Sequence, residues 1–142
     1  MKDILRLLAV FSLVSAAASL VRCKSPNSSQ PPETVKADPS FSADIQPIFT
    51  ANCALAGCHD ASASQQLNLS AGNAYVNLVN VDAGEVPARK RVLPGNSAAS
   101  YLVIKIEGNQ TVGGRMPLGR SPLSAVQIQN IKNWIDRGAR NN

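Results

Sequence analysis

Residues 51–60 read ANCALAGCHD, which places Cys53, Cys58 and His59 within one short stretch. The chain has a single histidine, so its position directly after a cysteine calls for an explanation. Three chemistries compete for the cluster: a haem attachment site, a small disulfide loop, or part of a metal site. Each makes different demands on the rest of the chain.

Covalent haem attachment adds two cysteine thiols across two vinyl groups, and the histidine that follows the second cysteine ligates the iron. Cys58-His59 supplies that dipeptide. The usual spacing is C-x-x-C-H; here Ala54, Leu55, Ala56 and Gly57 lengthen it to C-x4-C-H. Small residues and a glycine let the longer spacer bulge without crowding a flat ligand. A disulfide between Cys53 and Cys58 suits an exported protein in an oxidising compartment, but it leaves His59 without a role. A structural zinc site needs four nitrogen or sulfur ligands, and beyond these three residues the folded part offers carboxylates. Thiol–disulfide exchange would call for C-x-x-C beside a βαβ pattern, which this sequence does not show.

A haem held by one histidine takes a sixth ligand or keeps an open face. Met116 is the candidate, since Met1 leaves with the leader described below and the chain has two methionines in all. It lies in VGGRMPLGRSPL, where Gly113, Gly114, Pro117 and Gly119 exclude regular helix and imply a shaped loop. The competing role, core filler, fits poorly with a loop that has no apolar periodicity.

The chain opens MKDILRLLAVFSLVSAAASLVRC, with Lys2 and Arg6 ahead of an uncharged apolar run from Leu7 to Val21. This is the layout of a secretory signal, and the run is shorter than the roughly 20 residues a spanning helix needs. Leu20-Val21-Arg22-Cys23 resembles a bacterial lipobox, which implies cleavage of a signal peptide over 1–22 and lipidation of Cys23; the alternative is ordinary cleavage near Ala18. Loss of Lys2, Arg6, Arg22 and Asp3 lowers the net charge from +5 to +3. The Pro- and Ser-rich segment over 23–40 buries too little apolar surface to order itself and reads as a flexible tether. Residues 41–142 are left for a single domain with one modest core. The remaining charge is too mild, and too little interleaved with aromatics, to suggest nucleic acid. Arg89-Lys90-Arg91 reads as a solvated loop.

Phe41, Ile45, Ile48 and Phe49 recur at helical spacing, and Pro47 is tolerable in a first turn if Asp44 caps the helix. SAVQIQNIKNWIDRG is the clearest helix. Ser124 and Gln127 form a capping box, Ile128, Ile131, Trp134 and Ile135 an apolar face, Arg137 suits the C-terminal dipole, and Gly138 a left-handed terminus. NAYVNLVNV and SYLVIKIEG are locally ambiguous between strand and helix.

Taken together, IQPIFTANC before the Cys-His pair, VLPGNSAASYLVIKI, GGRMPLG and LSAVQIQNIKNWIDRGA resemble a small monohaem class I cytochrome c domain of the bacterial envelope type, over about 44–139. The resemblance implies an all-α, cytochrome c-like fold in which the first and last helices cross and a haem lies in an apolar crevice. It makes helices of the two ambiguous segments and places Trp134 in the crossing. Cys53 and Cys58 would then hold one covalent haem c, with His59 and Met116 as axial ligands of the iron. Pro94 and Gly95 would turn the chain beside the haem.

The function expected from this reading is single-electron transfer between redox partner proteins of the cell envelope. The carrier would be a lipid-anchored lipoprotein at the periplasmic face of a membrane. No triad, phosphate loop or paired-carboxylate site is seen, so no enzymatic reaction or small-molecule substrate is expected. Two alternatives remain open at this point: a five-coordinate haem sensor or peroxidase-like enzyme, should Met116 not ligate, and a haem-free, disulfide-bonded structural lipoprotein.

Overall fold

The computed structural model describes residues 34–62 and 67–142. The expected signal peptide, the expected lipidation site Cys23 and the first part of the expected tether lie outside the described residues. A wide π-helical turn, Phe41–Ile45, leads into α1 (Gln46–Asn52); α2 (Ala74–Leu78), α3 (Tyr101–Glu107) and α4 (Ala125–Asp136) follow. Among the described residues there is no sheet, only isolated bridges between Val79 and Val92 and between Asp82 and Lys90. The architecture is helical, and none of the described helices is long and apolar enough to cross a membrane.

Asp44 is not the N-cap of the first helical segment. Ser40 takes that place, in an extended conformation, with its hydroxyl accepting from the Ala43 N–H. The Asp44 carboxylate reaches back instead, accepting from the Ser40 N–H at 2.9 Å and from the Lys36 ammonium. Pro47 falls at the start of α1 and brings no N–H to the ladder. The turn before it is widened: Ile45 and Gln46 donate to carbonyls five residues back, on Ser40 and Phe41. A π-turn here gives the proline ring room beside the preceding carbonyls.

Residues 34–40, assigned to the tether by composition, are bonded to the body. Asn130, fully buried on α4, accepts from the Lys36 N–H at 2.7 Å and donates to the Thr34 carbonyl at 2.9 Å. Asn133 donates to the Lys36 carbonyl, and Arg140 makes a forked pair with Asp38. Composition missed this because the contacts are backbone and polar, and their partners lie about a hundred residues away.

α4 forms as its sequence dictates. Ser124 and Gln127 exchange both bonds of the capping box, and the helix ends in a Schellman arrangement: Gly138 (φ 96°) donates to the Ile135 carbonyl and Ala139 to that of Trp134. Ile131, Trp134 and Ile135 are buried. Trp134 packs against Phe41 with ring centroids 5.2 Å apart and planes tilted by 38°, and its indole N–H donates to the Arg140 carbonyl at 2.9 Å. Phe41 also meets Phe49 and, edge-on, Tyr75 of α2, so one ring joins the first helical segment, α2 and α4.

The two ambiguous segments are both helical in their first part. α2 is short; after it Val79 turns extended and bridges Val92, and Asn80, in a left-handed conformation (φ 60°), donates its N–H to the Val92 carbonyl. In α3 the β-branched run keeps helical phase because tertiary burial overrides local preference. Tyr101, Leu102, Lys105 and Ile106, spaced four apart in two pairs, face one cavity, while Val103 enters the core.

Trp134→Ala is expected to cost about 3–5 kcal/mol, the range for deleting a buried aromatic, whereas Ser124→Ala costs ~1 kcal/mol through the lost cap. Urea denaturation midpoints measure both. A Trp134→Ala cost no larger than that of Ser124→Ala would mean the ring is not the centre of this core.

Candidate functional site

Cys53 stands where α1 ends. Its own N–H and that of Ala54 both donate to the Phe49 carbonyl at 2.8 Å, which stops the helix. The four-residue spacer is taken up in turns: Cys58 donates to Leu55, and Gly57 adopts φ +77° with nothing near where a Cβ would lie. The His59 N–H then donates to the Cys53 carbonyl at 3.1 Å, and the His59 carbonyl accepts from Leu69 at 2.7 Å. The longer spacer is thus closed by its own backbone, and the histidine is tied on both sides.

Cys53 and His59 line a cavity of about 440 Å³, and Met116, more than fifty residues later, lines the same cavity. This volume falls in the range of small-molecule sites. Leu69, Leu78, Leu102 and Ile106 make its apolar wall, and Glu85, Arg91, Tyr101 and Lys105 add polar groups. Met116 is held by its N–H, which donates to the Lys105 carbonyl at 3.0 Å. Three of the four site residues read from the sequence therefore converge. Cys58 does not join them: it is exposed on the turn and is not part of the lining. Pro94 and Gly95 lie elsewhere too, with the Gly95 N–H donating to Ile135 near the end of α4.

Burial dominates the electrostatics of the cluster. The His59 imidazole is pushed below its ordinary pKa, first by desolvation, with the charges of Arg91 and Lys105 adding and the Leu67 carbonyl opposing. The ring is therefore neutral near pH 7, the form able to ligate a metal. Its Nδ1 is buried without a hydrogen-bond partner. Burial raises the Cys53 thiol to about 12, with Cys58 contributing, so it stays protonated. Cys53 and Cys58 are both free thiols.

Four polar residues of the cavity were not legible as site residues. The Lys105 ammonium sits 2.7 Å from the Glu85 carboxylate, and the Tyr101 hydroxyl donates to the same oxygen at 2.7 Å. Those two bonds hold the Glu85 carboxyl below the usual range, and burial, followed by Glu85, pushes Tyr101 up to about 12. The basic triplet expected as a solvated loop divides: Arg89 is exposed, Lys90 pairs with Asp82 at 2.6 Å, and Arg91 lines the cavity and donates to the Asn77 carbonyl. Tyr101 and Lys105 stand four apart on α3, a signal visible once that segment is taken as helix. Glu85 reaches them only through the tertiary fold.

No protein-family model, no curated protein and no solved structure matches this chain.

In protein made without haem, Cys58 should be alkylated by iodoacetamide at least about tenfold faster than Cys53, because the thiolate is the reactive form and Cys53 is buried with a raised pKa. Peptide mass mapping over time reads both rates. Equal rates would show that Cys53 does not sit where the cavity places it.

Proposed function

We propose that this chain is a c-type cytochrome that carries single electrons between redox partner proteins of the cell envelope. The observation that carries the reading is the convergence of Cys53, His59 and Met116 on one largely apolar cavity. The donor set suits a haem: a thiol able to form a thioether, a neutral imidazole and a soft thioether sulfur. In this reading Cys53 and Cys58 would hold the haem covalently, Cys58 from the exposed turn, and His59 and Met116 would ligate its iron. The ring contact of Phe41 with Trp134 supports a cytochrome c-like arrangement in which the first and last helices pack across each other.

The bound haem would supply a one-electron couple between ferric and ferrous iron. The chain's own work is to position and exclude. Leu69, Leu78, Leu102 and Ile106 keep water from the cavity. The closed turn from Cys53 to His59 takes up the extra length of the spacer without displacing the histidine. Desolvation keeps the His59 imidazole unprotonated and ready to ligate. A Met/His pair raises the potential relative to two histidines, which suits a carrier. The presence of Met116 at the cavity favours this over a five-coordinate sensor or peroxidase. Export by the leader and lipidation of Cys23 would place the domain at the periplasmic face of a membrane. The chain is attached to the body from Thr34 onward.

Protein exported alongside cytochrome c maturation factors is expected to show a low-spin haem spectrum with haem retained after denaturation. His59→Ala should abolish the low-spin form. Met116→Ala should keep the haem attached, lose the methionine ligand and lower the reduction potential. Absence of haem from the wild-type chain, or unchanged spectra in both variants, would overturn the assignment.

A further inference from the structure

Lys105 is an unusual residue for its position. Its side chain is 8% exposed, on the cavity face of α3, and lysines are rarely so buried unless paired. Its partner Glu85 is 40% exposed and comes from the loop after α2. A buried ion pair is weak evidence for stability, because desolvation offsets its attraction; its better-attested effect is to select one geometry. The geometry selected here is that of the loop over 109–120. Lys105 Nζ also contacts the Val112 carbonyl at 3.4 Å, and its backbone carbonyl accepts from the Met116 N–H.

The loop is built to lie against this pair. Gly113 adopts φ +67°, and a Cβ there would come within 2.7 Å of Glu85 Oε1 and 3.0 Å of Lys105 Nζ. Glycine takes this left-handed conformation without strain and lets the backbone lie against the ends of both side chains. A second clasp acts at the C-terminal end of α3: Arg115 Nε donates to the Ile106 carbonyl at 3.0 Å, and its side chain covers Gly108, the left-handed residue that ends α3. Val112, Arg115 and Met116 are thereby each bonded to α3, and Gly113 lies close against the Glu85–Lys105 pair. The nearest other account, that Lys105 only balances charge in the cavity, explains neither the contact with Val112 nor the glycine at 113.

We propose that Lys105, Glu85 and Gly113 are positioning residues that hold the Met116 loop against α3 and so keep the methionine sulfur in the cavity. This inference rests on the reading of Met116 as an axial ligand. The cluster acts through the loop and does not itself touch the iron. Weakening it lowers the ratio of methionine-bound to methionine-free iron, which in turn raises the apparent affinity of any external ligand that competes for the same position.

The test is an imidazole titration of the ferric, haem-loaded protein, followed by absorption. Removing a charge-assisted hydrogen bond that favours one state shifts an equilibrium by about tenfold or more. Lys105→Met, from the α3 side, and Gly113→Ala, from the loop side, are each expected to tighten apparent imidazole binding by ~10-fold. Met116→Ala sets the upper limit. Ser124→Ala, which weakens the distant α4 cap, is expected to leave the affinity unchanged and so separates positioning from general loss of stability. Wild-type affinity in both Lys105→Met and Gly113→Ala overturns the proposal while leaving the ligand assignment intact. A wild-type protein that binds imidazole as tightly as Met116→Ala overturns the ligand assignment and the proposal together. Should Lys105→Met fail to accumulate, Gly113→Ala alone decides, since it keeps every side chain of the cluster.

Discussion

The two ends of the folded chain meet at an aromatic ring contact. Phe41 and Trp134 lie 5.2 Å apart between ring centroids, and polar bonds surround them. The carbonyl of Asn142 accepts from Ser42 N–H and Ser40 Oγ at 2.8 Å, and its side-chain oxygen accepts from Phe41 N–H. Closing a loop of this length costs conformational entropy, and burial of the aromatic rings offsets much of that cost. Once the ends are together, the segments between them have to pack on the remaining faces of α1 and α4. The cavity is the space they leave between the end of α1, α2, α3 and the Met116 loop.

α3 is the element that serves two purposes in this arrangement. Val103 and Ile106 belong to the core, while Tyr101, Leu102 and Lys105 turn toward the cavity. A helix can divide its residues this way because its period brings positions four apart onto one face. The same run as a strand would alternate and send Lys105 and Val103 to one side. Burial of Val103 and Ile106 thus decides the conformation and, with it, the presence of a cation in the cavity.

That cation shows how the site departs from a plain apolar pocket. Burial lowers the pKa of His59, Arg91 and Lys105 add to that shift, and Glu85 answers the charge of Lys105. The charges sit on different segments, so their balance holds only in the folded arrangement. The arrangement keeps an imidazole neutral beside a protonated thiol, in a wall of leucine and isoleucine.

Much of this was legible in the residues themselves. Ser124, Gln127 and Gly138 carry the chemistry of a helix start and stop in their own side chains or lack of them, so α4 needed no tertiary information. Cys53, His59 and Met116 could be singled out because each is scarce and chemically distinctive. Other features followed only from distant contacts. Asp44 has the chemistry of a cap, but Ser40 sits in the extended conformation and Asp44 bonds backwards, a choice made by the π-turn ahead of Pro47. Residues 34–40 have the composition of a tether, and their partners, Asn130, Asn133 and Arg140, are remote in sequence. Glu85 joined the site for the same reason. Local propensity and short-range hydrogen bonding are written in neighbouring residues, and the sequence by itself determined those elements and the candidate donors. Which side chains share a cavity depends on burial summed over segments far apart, and that the tertiary structure alone decided.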